Sequence, residues 1–278
     1  MILCHFPRCL FSFSRLDETA AILQAEVPGV KTKHLIIDLA SLASCRAAAK
    51  EVRIRLHFFE TFTDGPQVNA YNFKIDVLIN NAAIMCSPEF NLSVDGLENQ
   101  FAVNHVGPAL FTVLIKPALA QGVRIVNVSS LAVRYSGVRF DDLSFGNGKN
   151  YVKWEAYGQS KSANALFTVS LAKKWTDIGA TAFSLHPGII PTKLADSISL
   201  EEKIRTGMFN ADGSLGDLYT WKTIPQGAAT TIVAAFDPAI LASSGSYLSD
   251  CIVDNAAAAP HALDEVRLHL VASGRTFN

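Results

Sequence analysis

Glycine is scarce at the start of this chain. Only Gly29 and Gly65 fall in the first 95 of its 278 residues. That excludes from this stretch a glycine-rich turn able to bring backbone against a phosphate. Cysteine is sparse as well. The five (Cys4, Cys9, Cys45, Cys86, Cys251) are odd in number, scattered and without a C-x-x-C, which reads as a reduced, cytoplasmic protein. The seven histidines show no H-E-x-x-H or comparable spacing, so no metal site is expected. With 24 Lys and Arg against 25 Asp and Glu, neither a basic run nor an acidic tail stands out. Nucleic acid and anionic membrane surfaces are therefore not expected partners. No window reaches the roughly 18 apolar residues of a membrane span. The apolar opening "MILCHFPRCLFSFS" is interrupted by Pro7 and Arg8. It reads as a short strand with a ragged lead-in rather than as a secretory signal.

What is present is apolar surface. Hydrophobic residues make up 49% of the chain, enough for a sizeable core. Apolar runs alternate with helical patterns. Strands are predicted at 33–39, 76–82, 123–130, 180–188 and 245–249. Helices are predicted at 41–52, at 97–120 with a kink at Pro108, at 151–175 and at 227–236. Strands nearly continuous in Val, Ile and Leu, separated by helices, indicate a parallel sheet covered on both faces. The fold class is α/β, a doubly wound Rossmann-like parallel sheet in one domain over 1–278. Two stretches fit less smoothly. "VRIRLHFF" (52–59) alternates like a strand and equally extends the helix before it. Residues 201–226 follow the fourth strand at the end where ligands bind in such sheets, and read as a substrate lid or as a surface excursion.

The chemistry centres on "AYGQSKSANALF" (156–167). Residues four apart on a helix share a face, so Tyr157, Lys161, Asn164 and Thr168 form one stripe. A free phenol, with a pKa of about 10, is a poor proton carrier at neutral pH. A neighbouring ammonium stabilises the phenolate and makes the pair a usable general acid or base. Alone, the motif also fits a surface lysine folded over a tyrosine. Ser129 and Ser130 stand at the carboxyl end of the strand before this helix, where α/β sheets place functional groups. A serine there donates to a substrate oxygen as charge develops, or satisfies the loop backbone. Asn80 and Asn81 occupy the same end of the previous strand. Asn104 precedes Pro108 by one helical turn, where missing helical hydrogen bonds free carbonyls for water.

In order and near-family spacing, "DLASLAS", "VLINNAAIM", "FAVNHVGPALFT", "RIVNVSSLA", "YGQSK" and "HPGIIPT" resemble the short-chain dehydrogenase/reductase family, nearest its retinol-dehydrogenase-like and fungal members. The resemblance runs from about residue 12 to residue 250. It implies hydride transfer between NAD(P) and a small hydrophobic carbonyl or alcohol. Tyr157 would move the proton. Lys161 would lower its pKa and hold the nicotinamide ribose. Ser130 would polarise the carbonyl, and Asn104 would anchor a water relay. Asp38 would contact the adenine, Asn81 would line the cofactor ribose, and Ile190 and Thr192 would hold the nicotinamide half. Arg15 stands where NADP-preferring members keep an arginine, which points to NADP over NAD; it equally reads as a solvated charge after a strand. "NNAA" departs from the family's NNAG, and Ala83 is costly only if the backbone there needs positive φ. Dimers or tetramers are common in the family.

The departure that matters is the absent G-x-x-x-G-x-G. By resemblance "CLFSFSR" is the family's second strand, so the first βα unit, with its central strand, is missing. The open edges that would result are an aggregation hazard. The chain is then an incomplete product, or another segment such as "VRIRLHFF" fills the gap, or a partner binds there. The rival functional reading is a non-catalytic relic that has lost cofactor binding and serves as a binding or scaffold protein.

Overall fold

The computed structural model describes residues 14–61 and 74–264. Two helices open it, α1 (Ser14–Glu26) and α2 (Leu42–Thr61). Strand β1 (Ile75–Asn80) leads into a broken helix: α3 (Asn99–Phe101), a π-helical turn over Ala102–Val106, and α4 (Gly107–Leu114). Then come β2 (Leu119–Val128), α5 (Lys153–Lys174) and β3 (Thr181–His186). Two further helices, α6 (Leu200–Arg205) and α7 (Ile224–Phe236), precede β4 (Tyr247–Ser249) and β5 (Ile252–Val253).

The sheet order is β1-β2-β3-β4-β5. The first four strands are parallel, and β5 returns antiparallel to β4. Successive side chains on a strand point to opposite faces, so each strand feeds two cores. On one face Val123, Ile125 and Ala182 pack with Cys45 and Val52 of α2, Phe111 of α4 and Leu171 of α5. On the other, Val126, Val128, Phe183, Leu185 and Leu248 meet Ala234 and Ala235 of α7. Each fully buried Leu, Ile or Phe contributes roughly 1.5–3 kcal/mol. The run of apolar residues in β2 thus has one explanation: the strand is covered on both sides. The sheet is doubly wound, in one domain.

Several expectations need correction. Residues 9–13 lie outside the described residues, and Ser14 and Arg15 open a helix instead of ending a strand. "SRLDETAAILQAE" supplies the reason: Leu16 and Ala20 bury one face at helical spacing, and Asp17 sits in the favourable first turn. Residues 33–38 have no regular secondary structure and 39 opens a turn, with Leu35, Ile37 and Leu39 buried and Ile36 exposed, so they are not one of the five strands. Their apolar side docks against α2 and α4. "VRIRLHFF" continues α2 and is no strand. The helix expected to 120 ends at Leu114; a 3₁₀ turn at Lys116–Ala118 follows and β2 begins at Leu119, earlier than expected. Where a kink at Pro108 is expected, a π turn stands just before it and shifts the hydrogen bonding around a residue that has no N–H to give. No described helix is long and apolar enough to cross a membrane.

Candidate active site

The site is assembled where β2 ends and α5 begins. Gly158 is what lets them meet. A Cβ there would lie 2.6 Å from Ala132 O and 3.0 Å from Ser136 N. Its absence lets the start of α5 approach the 3₁₀ turn Leu131–Arg134 closely, with Tyr157 beside Ser130. The Ser130 hydroxyl lies close enough to the Tyr157 phenol to favour its ionised form. Ser130 is also the N-cap of that turn, its Oγ accepting from Ala132 N at 3.1 Å.

The rest of the predicted stripe is a polar seam between α5 and the sheet. Lys161 Nζ donates to Val128 O at 3.0 Å, and Ser129 Oγ donates to Lys161 O at 2.8 Å. Asn164 Nδ2 donates to Val128 O at 3.4 Å, and Asn127 Nδ2 to Thr168 Oγ1 at 2.8 Å. Asn80 Nδ2 reaches Asn127 Oδ1 at 2.9 Å, tying β1 into the same network. Buried polar groups satisfied in this interlocking way fix one geometry. The pair of serines therefore divides its labour: Ser129 holds the helix to the strand, and Ser130 faces the phenol.

Asn104 lies in the π turn. Its Oδ1 accepts from Ile84 N at 2.8 Å, and its Nδ2 donates to Ile84 O at 2.9 Å and to Ser160 Oγ at 2.9 Å. It couples the loop after β1 to the residue before Lys161. Ala83 in that loop does not have positive φ, so replacing the family's glycine there adds no backbone strain.

The electrostatics differ from the expectation. Burial pushes the Tyr157 phenol above its ordinary range, offset in part by the nearby Ser130 hydroxyl, with Cys86 adding to the rise. Burial pulls the Lys161 ammonium down to about 7. Lys161 Nζ sits 5.6 Å from the centre of the Tyr157 ring and bonds a main-chain carbonyl. Desolvation of both groups outweighs their mutual effect, so the phenol is held protonated.

The surroundings of Tyr157 are apolar. It packs with Cys86, Ala132 and Ile198, flanked by Met85, Trp154 and Met208, and is only 4% exposed. Sequence patterns did not single out Cys86, Gln100, Trp154 or Glu202. Gln100 is fully buried and braces the floor: Cys86 N donates to its Oε1 at 2.7 Å, and its Nε2 donates to Lys153 O at 3.1 Å. A buried glutamine in a helix start was the one available signal. Glu202 and Met208 fall within 201–226, read above as a lid or a surface excursion, but their partners lie tens of positions away and left no local pattern.

The other predicted residues do not converge on one cradle. Asp38 Oδ1 accepts from Ala40 N at 2.9 Å and so fixes the turn before α2. Asn81 is exposed just after β1, Ile190 is half-buried against Gly227 of α7, and Thr192 is exposed at the cap of a 3₁₀ turn. Arg15 stands in the first turn of α1. A nicotinamide riboside fits the Tyr157 end: among the described residues Lys161 bonds only Val128 O, which leaves ammonium donors for a ribose diol. The pyrophosphate end is not matched. Gly29, the one glycine described before β1, closes α1 with φ of 86°.

Comparison with known proteins identifies the family. A family model described as enoyl-(acyl carrier protein) reductase matches residues 66–229. The chain is similar to the chloroplastic short-chain dehydrogenase TIC 32 B of Brassica napus, 36% identical over 249 residues, covering 85% of this chain and 69% of that protein. It is 35% identical over 270 residues to human retinol dehydrogenase 14, covering 91% of this chain and 72% of the relative. Among solved structures, a short-chain dehydrogenase from Burkholderia cenocepacia in complex with NADP shares the fold, with a TM-score of 0.59 at 19% identity, covering 92% of this chain and 86% of that one. The chain belongs to the short-chain dehydrogenase/reductase family.

Proposed function

We propose that the protein is an NADP-linked oxidoreductase of small hydrophobic carbonyl compounds and alcohols, with Tyr157 as its proton donor in the reductive direction. The observation that carries this is the Tyr157 phenol, buried beside Ser130 and kept protonated by that burial. A neutral phenol gives a proton to the alkoxide that forms as a carbonyl is reduced. Ser130 stabilises the same oxygen as its charge grows, from a position fixed by the turn it caps. Lys161, already drawn down to about 7, resupplies the proton or holds the ribose edge. Asn104, through Ile84 and Ser160, holds the place from which a water relay to Lys161 would run. The bound nicotinamide supplies hydride. Asp38, Asn81, Ile190 and Thr192 are proposed to line the rest of the dinucleotide, with Arg15 as the contact to a 2′-phosphate.

The substrate class follows from what surrounds the phenol. Met85, Trp154, Ile198 and Met208 offer apolar, adaptable surface and no charge to pair with a carboxylate or phosphate. The retinol dehydrogenases among the relatives are named for a hydrophobic alcohol. A second reading, the non-catalytic relic, is favoured by one observation: the 278 residues contain no G-x-x-x-G-x-G. A fluorescence titration with NADPH separates the two. Saturable binding with steady NADPH consumption on an apolar aldehyde supports the oxidoreductase. No binding at millimolar NADPH overturns it in favour of the relic.

A further inference from the structure

Tyr157 and Cys86 are buried by a segment that, among the described residues, has few polar ties to the floor beneath it. Ala195, Ile198 and Met208, from 193–208, pack on Tyr157 and Cys86 from above. Ser197 Oγ donates to Met85 O. The other polar ties from this segment to the floor converge on Glu202 of α6. Its Oε2 pairs with Lys153 Nζ, and its Oε1 accepts from Trp154 Nε1 at 3.0 Å. Lys153 and Trp154 open α5, the helix that carries Tyr157.

The floor half of this arrangement is rigid. Gln100 holds the Lys153 carbonyl, as described above, and its Nε2 also donates to Tyr151 Oη at 2.9 Å. Tyr151 Oη donates in turn to Ser87 O at 3.0 Å. The lid half is self-contained. Ser199 caps α6 through Glu202 N, and Thr206 Oγ1 returns to Glu202 O at 2.8 Å. Beyond 208 the lid is tied to the excursion that follows, with Tyr219 Oη donating to Thr206 O at 3.1 Å and Gly216 N to Met208 O at 2.8 Å. The lid therefore has the means to move as a unit while the floor stays put.

Glu202 also has somewhere to go. Arg205, three residues on and exposed, lies 3.9 Å from its Oε1. A carboxylate that leaves Lys153 and Trp154 keeps a cation on its own helix, so release does not strand a charge.

We propose that Glu202 is the clasp of a lid formed by 193–208, a positioning residue that alternates between Lys153 with Trp154 in the closed state and Arg205 in the open one. Closure buries the phenol and excludes water from it. Opening admits the substrate, a consequence that rests on the oxidoreductase reading; the clasp itself does not.

Cys86 reports the lid without any turnover. It is fully buried beneath Ile198, while Cys45 is equally buried in the core on α2. The electrostatics make the test selective. Burial pushes the Cys86 thiol up to about 12, Lys153 draws it down and Glu202 raises it. Removing Lys153 by charge alone therefore makes Cys86 less reactive, whereas unclasping makes it more reactive.

The experiment is timed alkylation of the full chain with N-ethylmaleimide, read peptide by peptide. Lys153→Met is expected to speed modification of Cys86 about tenfold, the scale of one charge-assisted bond, with Cys45 unchanged. Glu202→Ala is expected to do the same, and Glu202→Gln, which keeps the Trp154 bond, to fall between it and the parent. Slower or unchanged Cys86 labelling in Lys153→Met overturns the clasp. So does equal acceleration at Cys86 and Cys45, which signals general loosening. A chain that binds no NADPH yet shows selective acceleration at Cys86 keeps the clasp and loses the oxidoreductase.

Discussion

The floor of the site and the lid over it are built on opposite principles. In the floor, Lys161, Asn164, Thr168, Ser129 and Asn127 each satisfy another buried group in one interlocked network. In the lid, the polar bonds are mostly internal, and the ties downward are Ser197 to Met85 and Glu202 to Lys153 and Trp154. The contrast shows how one small region can demand both precision and access. Proton transfer needs a fixed phenol and hydroxyl, while exchange of reactants needs a cover that lets go.

If the floor is rigid, it should break outright when its closest packing is disturbed. Gly158→Val places side-chain atoms against Ala132 O and Ser136 N, both main chain and unable to yield. It is expected to cost about 3 kcal/mol, seen as a lower denaturant midpoint, and to abolish turnover. A variant of parental stability and activity would show that the floor adapts.

A milder disturbance is Lys161→Met, read by the pH dependence of unfolding. Burial holds the folded-state pKa at about 7 against 10.5 for a free lysine. Below about 7 both states carry the proton. Between about 7 and 10.5 only the unfolded chain does, so stability rises with pH across that window. The variant is expected to lack this component of the rise. An identical pH profile in the two proteins would mean that Lys161 is hydrated.

The lid should respond most gently. Ser197→Ala removes one hydrogen bond, to Met85 O, and leaves the Glu202 clasp in place. A change of about threefold in the alkylation rate of Cys86 is expected, with no change at the denaturant midpoint beyond about 1 kcal/mol. A larger loss of stability would place Ser197 in the floor's network instead.

Sequence reading reached the floor's residues and marked 201–226 as a lid or a surface excursion, but it did not reach the contact that holds that segment down, for a physical reason. The floor's residues are local in pattern. Tyr157, Lys161, Asn164 and Thr168 repeat at helical spacing, and Ser129 and Ser130 end an apolar strand. The lid's clasp joins Glu202 to Lys153 and Trp154, residues that only the fold brings together. The same limit explains the misread strand at 33–39. Its alternation is real, since Leu35, Ile37 and Leu39 are buried and Ile36 is not, but alternation alone does not supply a partner edge. Arg15 was placed by resemblance after a strand, and the helical pattern from Ser14 to Glu26 prevailed. The protonated phenol was likewise beyond spacing rules, because it depends on how deeply Ile198 and Met208 cover the ring.

The central claim is that the Tyr157 hydroxyl carries the proton. The most direct measurement compares NADPH consumption on an apolar aldehyde by the parent and by Tyr157→Phe, alongside NADPH affinity from fluorescence. The account predicts a loss of about a hundredfold or more in kcat with affinity nearly unchanged. A phenylalanine variant that turns over at the parental rate would contradict it.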